Sequence, residues 1–142
     1  MNDQAQTALR RLPDWRVRLV AYLAAAARRP FEEGTHDCAL FFAGGAEAMT
    51  GVDHAEPYRG RYRTTRGGLR ILRRDGFEDH IALAAHHFPA QPVAFAREGD
   101  GAAVSTPEGP ALGIVQGEGV YVLSPERLAL VPLTTATTSF KV

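Results

Sequence analysis

The chain has 142 residues, of which 45% are hydrophobic and 23% are charged, values typical of one globular domain and not of a disordered or collagen-like chain. The 16 basic and 16 acidic side chains cancel, so the net charge does not point to nucleic acid or to an anionic membrane. Cys38 is the single cysteine, which excludes an intramolecular disulfide and a cysteine-rich zinc site.

The N-terminal half predicts helices. In the first segment, apolar residues recur at the spacing of one helical face, and these are Trp15, Leu19, Tyr22, Leu23 and Ala26. Pro13 suits the first turn of this helix and Pro30 ends it, since proline is tolerated only at a helix start.

A second helix is predicted from Asp37 to Gly51, with the pair Gly44 and Gly45 inside it. Glycine is costly within a helix, so the pair predicts the close approach of another backbone. Two further helices are expected, one from Thr64 or Thr65 to Arg74 and one from Phe77 to His87.

After Pro89 the sequence predicts strands, because short β-prone runs alternate with turn residues. The runs are VAFA, GAAV, LGIV, GVYVL, LALVPL and TTSFKV, a pattern typical of a small, strongly bent antiparallel sheet. We therefore predict one α+β domain over residues 1–142, with a helical part at about 13–88 and a sheet part at about 90–142.

The charge is unevenly distributed along the chain. Residues 1–74 carry 13 basic and 8 acidic side chains, a net charge of +5, and residues 75–142 carry 3 and 8, a net of −5. Seven arginines lie between Arg59 and Arg74 with no acid among them. This Arg59–Arg74 patch is typical of a solvated face; the alternative is a docking surface for an acidic partner. Aromatic residues beside it are few, so no nucleic-acid partner is expected.

The longest apolar run, VRLVAYLAAAA, is about half of the ~20 residues that a membrane span requires. The first residues also lack the apolar core of a signal peptide. We therefore expect no membrane span, and synthesis in the bacterial cytoplasm without a signal peptide.

Cys38 follows a glycine-containing loop and stands where the second helix is predicted to begin. The free N–H groups of a helix start stabilise a thiolate and an oxyanion on a substrate carbonyl, which suits a nucleophile. The alternative is an inert buried cysteine, since free cysteine is among the most frequently buried residue types.

Three short motifs resemble those of the NlpC-type cell-wall peptidases, which are papain-like cysteine enzymes. Gly34 followed by His36-Asp37-Cys38-Ala39-Leu40 resembles their nucleophile loop, Arg97–Asp100 is similar to a Gly-Asp turn before their small sheet, and Ala111–Gly117 is similar to a strand that follows. The resemblance is closest to small phage and prophage members encoded among tail genes. It implies a papain-like fold, a cysteine peptidase or amidase acting on peptidoglycan stem peptides with Cys38 as nucleophile, and association with other tail-tip proteins in the virion.

The sequence departs from this family at the general base. The family's histidine opens the strand at the position of Ala111, and no histidine follows His87. A cysteine nucleophile needs a base or a preformed thiolate, and His36 is the candidate by proximity in sequence. The alternative is a catalytically inert structural or adaptor subunit of a phage tail tip that keeps the fold. Neither a metal nor a cofactor is expected.

Overall fold

Four helices precede the strands in the computed structural model, which describes residues 10–142. They are α1 (Trp15–Arg28), α2 (Cys38–Thr50), α3 (Thr65–Arg74) and α4 (His80–His87). The predicted helices are present, and the α+β fold class is confirmed. The first nine residues of the predicted domain, 1–9, lie outside the described part.

The predicted fourth helix begins three residues later than expected, at His80 rather than Phe77. Asp79 is the reason, because its Oδ1 accepts a hydrogen bond from the Ala82 N–H at 2.9 Å and so caps the helix start. The predicted VAFA strand is a short 3-10 turn over Val93–Phe95, closed by a bond from the Phe95 N–H to the Pro92 carbonyl at 3.0 Å.

Six antiparallel strands form one sheet in the spatial order β1-β6-β2-β3-β4-β5. Their bounds are β1 (Ala90–Gln91), β2 (Gly101–Thr106), β3 (Gly109–Gln116), β4 (Gly119–Leu123), β5 (Leu128–Pro132) and β6 (Ala136–Phe140). The last strand therefore pairs beside the first two, with β6 between β1 and β2. This arrangement leaves β3 in the sheet interior, where α2 and α4 contact it.

Helix α2 is the centre of the core. Phe41 and Met49 are fully buried on it, and they pack in one cluster with Ile114 of β3 and Phe140 of β6. The helix is apolar on nearly all sides because helices and sheet surround it.

The glycine pair in α2 makes room for side chains and not for a backbone, contrary to the expectation. A methyl group at Gly44 would overlap the Tyr22 ring of α1, and one at Gly45 would overlap the side chain of Ile114. The Tyr22 hydroxyl donates to the Phe41 carbonyl at 2.7 Å. The two glycines therefore let α1 and β3 pack closely on opposite sides of α2.

A buried carboxylate joins distant parts of the chain. Asp100, 1% exposed, accepts hydrogen bonds from the side chain of Arg11 at 3.0 Å, from that of Gln91 at 3.0 Å, and from the backbone N–H groups of Arg97 at 2.9 Å and Val142 at 3.1 Å. Four donors compensate the loss of hydration of this charge.

No helix in residues 10–142 is long and apolar enough to cross a membrane.

We expect Asp100→Ala to lower the free energy of unfolding by about 3–5 kcal/mol, because it leaves the buried Arg11 guanidinium without its partner. The control is Glu98→Ala, which removes an exposed ion pair with Arg16 and should cost about 0–1 kcal/mol. Urea unfolding of both variants measures the difference, and equal losses would contradict this account of Asp100.

Candidate functional site

Cys38 is the first residue of α2 and is half-buried. The sequence predicted a helix start here, and the structure places it within a residue of that prediction. Asp37 is the N-cap, with its Oδ1 accepting from the Leu40 N–H at 3.0 Å. The thiol therefore stands on the first turn of a helix whose far end is buried in the core.

The second oxygen of Asp37 holds the loops on both sides of the cysteine. Its Oδ2 accepts from the Gly34 N–H at 3.0 Å and from the Tyr62 hydroxyl at 2.5 Å. Gly34 has a positive φ of 84°, and the Tyr62 carbonyl occupies the place of a Cβ at this position. Only glycine fits both the φ angle and this approach, so the glycine of the loop brings Tyr62 to the nucleophile.

Burial is the main cause that raises the pKa of the Cys38 thiol to about 11, and the nearby carboxylates of Asp37 and Glu33 act in the same direction. Backbone hydrogen bonds from Leu112 and Ala39 act in the opposite direction. Desolvation outweighs these donors. Cys38 is therefore a protonated thiol at neutral pH, and nucleophilic attack requires a base.

One free edge of β3 lies beside the cysteine. The strand pairs with β2 from Gly109 to Ile114, but its pairing with β4 begins only at Ile114. Backbone groups along a strand alternate between its two edges, and Val115 bonds to the Asp100 carbonyl on the β2 side. The Pro110 carbonyl and the Leu112 N–H therefore face the other edge, where no strand pairs with them among the described residues.

Two side chains occupy this free edge. The Leu112 backbone bonds to the Cys38 sulfur, and the Pro110 carbonyl accepts from His80 Nε2 at 3.0 Å. His80 is half-exposed and stands at the start of α4. The sequence did not relate His80 to Cys38. The two residues are 42 positions apart, and no local pattern indicates that the start of α4 contacts β3.

Ala111 lies between these two positions and packs in the same apolar cluster as Cys38. The position where the resemblance implies a base histidine therefore carries a methyl group, which belongs to the apolar cluster that Cys38 packs against.

The imidazole of His36 faces the other way. Its Nε2–H donates to the Ala26 carbonyl at the end of α1 at 3.1 Å, and the residue is 3% exposed. Burial lowers the pKa of His36, so the ring is neutral near pH 7. His36 does not line the cavity in front of Cys38.

A cavity of about 810 Å³ opens in front of Cys38, large enough for a peptide of a few residues. Helices α3 and α4 form one wall and the β3 edge forms another. Its polar lining includes Glu33, Tyr62, His80 and Glu108.

Two further histidines, His54 and His87, also line this cavity. The rings of His54 and His87 lie 4.2 Å apart between centroids, with an interplanar angle of 27°. Burial and the neighbouring imidazoles of His54 and His86 lower the pKa of His87 to about 4. Neutral rings can stack in this way without charge repulsion. Among residues 10–142, no group of three or more His, Cys, Asp or Glu side chains could hold a metal ion.

The Arg59–Arg74 patch divides between two environments. Arg59 makes two bonds to the Asp53 carboxylate, at 2.7 and 3.1 Å. Arg66 and Arg70 are exposed on α3 and form no ion pair with any residue in the described range. Most of the patch thus faces solvent, and its partner remains a prediction.

The fold is that of the NlpC/p60 domains, with a helix-mounted cysteine in front of an antiparallel sheet. It is similar to the crystal structure of the NlpC/p60 domain of the peptidoglycan hydrolase SagA, with a TM-score of 0.55 and 15% sequence identity, over 89% of this chain and 97% of that chain. Residues 10–142 match the family described as Domain of unknown function (DUF6950), and the chain belongs to that family. None of the curated proteins matches it.

We expect Asp37→Ala to lower the free energy of unfolding by about 3 kcal/mol, since it removes a helix cap and leaves two further donors unpaired. Asp79→Ala is a matched control, because this N-cap aspartate makes one capping bond and should cost about 1 kcal/mol. Chemical denaturation compares the two variants. A loss at Asp37 no larger than that at Asp79 would show that the Gly34 and Tyr62 contacts add nothing.

We expect the Cys38 thiolate to form with a midpoint near pH 11 in the folded protein, followed by thiolate absorbance at 240 nm with Cys38→Ser as the blank. In denaturant the midpoint should return to about 8.5. Because the folded-state pKa is the higher one, the contribution of this group to stability is complete below pH 8.5 and is lost as pH rises above it. A folded-state midpoint below 8.5 would contradict the burial argument.

Proposed function

We propose that this protein is a cysteine-dependent amide hydrolase acting on peptidoglycan stem peptides, with Cys38 as the nucleophile. One observation carries the proposal: the Cys38 sulfur stands at the first turn of α2, faces a large cavity, and receives a backbone hydrogen bond from Leu112 of β3. A buried packing cysteine requires neither the cavity nor the free strand edge. The likeness to a peptidoglycan hydrolase domain supports the choice of substrate class.

The proposed reaction follows from the position of Cys38 at the start of α2. The thiol sulfur attacks the carbonyl carbon of an amide, forming an S–C bond and a tetrahedral oxyanion. The Cys38 N–H, which has no partner within the helix, provides a donor for that oxyanion, whereas the Leu40 N–H is already bonded to Asp37. Collapse breaks the C–N bond and releases the amine, and water then hydrolyses the thioester to free Cys38.

The association with phage tails belongs to the same proposal and rests on the resemblance of the motifs to small phage and prophage proteins. Tail-tip proteins are the expected partners, and the exposed arginines of α3 are the surface we assign to them. Two of these arginines, Arg66 and Arg70, form no ion pair with any described residue, which suits an acidic protein partner.

A second candidate is the inert subunit, which two observations favour. Ala111 fills the position of the base histidine, and burial raises the pKa of the thiol to about 11. In this case the fold is retained for assembly and the cavity binds peptide without cleaving it.

Incubation of the full chain with purified sacculi tests the two candidates. The hydrolase should release new amino groups and reduce turbidity, and Cys38→Ser should abolish both, because serine at this site has no comparably acidic proton. Cys38→Ala is the control for binding, since it keeps the cavity and removes the nucleophile.

The inert subunit predicts no amine release by the wild-type protein and equal sedimentation of the wild type and Cys38→Ala with sacculi. Amine release that persists in Cys38→Ser would contradict the assignment of the nucleophile.

A further inference from the structure

We propose that His80 of α4 is the general base for Cys38, in place of the histidine that the β3 strand lacks. The inference rests on the proposed function and names the group that completes it. It assigns to a helix the role that Ala111 cannot perform.

The free edge of β3 brings the two side chains together. Cys38 meets this edge at the Leu112 N–H and His80 meets it at the Pro110 carbonyl. These backbone groups point in the same direction and are two residues apart, about 7 Å of strand. Both side chains line the same cavity. His36 bonds instead to the Ala26 carbonyl, and the rings of His54 and His87 stack on each other.

The bond to Pro110 also fixes the tautomer of the ring. A carbonyl only accepts, so His80 Nε2 carries the proton and Nδ1 is the basic nitrogen. Catalytic histidines are oriented by such a bond from the second ring nitrogen, and a backbone carbonyl serves as well as a side chain. Nδ1 is then the atom assigned to take the thiol proton, directly or through one water.

Glu33 supplies the negative charge that an imidazolium requires. This half-buried carboxylate interacts electrostatically with both His80 and Cys38, and the Thr65 hydroxyl donates to its Oε1 at 3.1 Å. Thr65 opens α3, so the acid is held between the nucleophile loop and the helical wall of the cavity. A carboxylate beside an imidazole stabilises the protonated ring that forms in the transition state.

The proton moves in a closed cycle. His80 Nδ1 accepts the Cys38 proton as the S–C bond forms, and the imidazolium returns this proton to the amine nitrogen as the C–N bond breaks. In the second half, His80 accepts a proton from the attacking water, the S–C bond breaks, and the sulfur is reprotonated. Because the base acts in the transition state, a thiol that stays protonated at neutral pH is compatible with it.

Acylation of Cys38 by p-nitrophenyl acetate tests this role without a peptidoglycan substrate. We compare the wild type with His80→Gln, whose amide N–H can still donate to Pro110 but which cannot accept a proton. The release of p-nitrophenol at pH 7 should fall by about 10²–10⁴-fold. The pH dependence that a general base gives to the wild-type rate should disappear in this variant. Cys38→Ser gives the background rate.

His86→Gln is the matched control, because it removes an exposed histidine from the same helix and should leave the rate and the pH profile unchanged. The double variant that adds Ala111→His to His80→Gln should be acylated at least tenfold faster than His80→Gln alone, since the added imidazole supplies a new base for the thiol. Rescue of this kind separates a lost base from a disturbed fold.

The outcomes separate this inference from the proposed function. If His80→Gln is acylated at the wild-type rate, or the wild type is not acylated above background, His80 is not the base. This holds whether or not sacculi are cleaved. If acylation depends on His80 but sacculi are not cleaved, the base assignment stands and the peptidoglycan substrate is wrong.

Discussion

The carboxylate of Asp37 is the constraint on which the site depends. One oxygen caps α2 and the other joins the Gly34 loop to Tyr62, so a single buried side chain sets the start of the central helix and the position of the thiol. The same charge raises the pKa of Cys38. The residue that positions the nucleophile therefore adds to the effect of burial, which is the main cause that keeps the thiol protonated, and a separate base becomes necessary.

The second constraint is the separation of β3 from β4. Because pairing with β4 begins only at Ile114, the stretch from Pro110 to Leu112 presents backbone groups to the helices. In a fully paired strand, those backbone groups would form hydrogen bonds with the neighbouring strand. Cys38 and His80 bond to this free edge at Leu112 and Pro110, and Ala111 lies between these two residues in the strand.

Several features could be predicted from the sequence for local physical reasons. Helix α2 was expected because an aspartate precedes an apolar run that ends in glycine, and the antiparallel strands were expected from turn residues between β-prone runs. The departure at Ala111 was also visible, since the motif aligns without gaps. The VAFA run failed as a strand because Pro92 favours a turn, and the Gly44-Gly45 pair was misjudged because spacing does not distinguish a backbone neighbour from the Tyr22 and Ile114 side chains.

The sequence by itself determined that there is one cysteine, that it stands at a helix start, and that its expected histidine is missing, because capping and strand patterns depend on neighbours in the chain. Only the tertiary structure decided the protonation state of that cysteine and which side chains lie near it. Its burial, the orientation of His36 toward Ala26 and the meeting of His80 with Pro110 arise from the packing of α1, α2 and α4 around β3. Desolvation and long-range contacts are properties of that packing, and no local pattern encodes them.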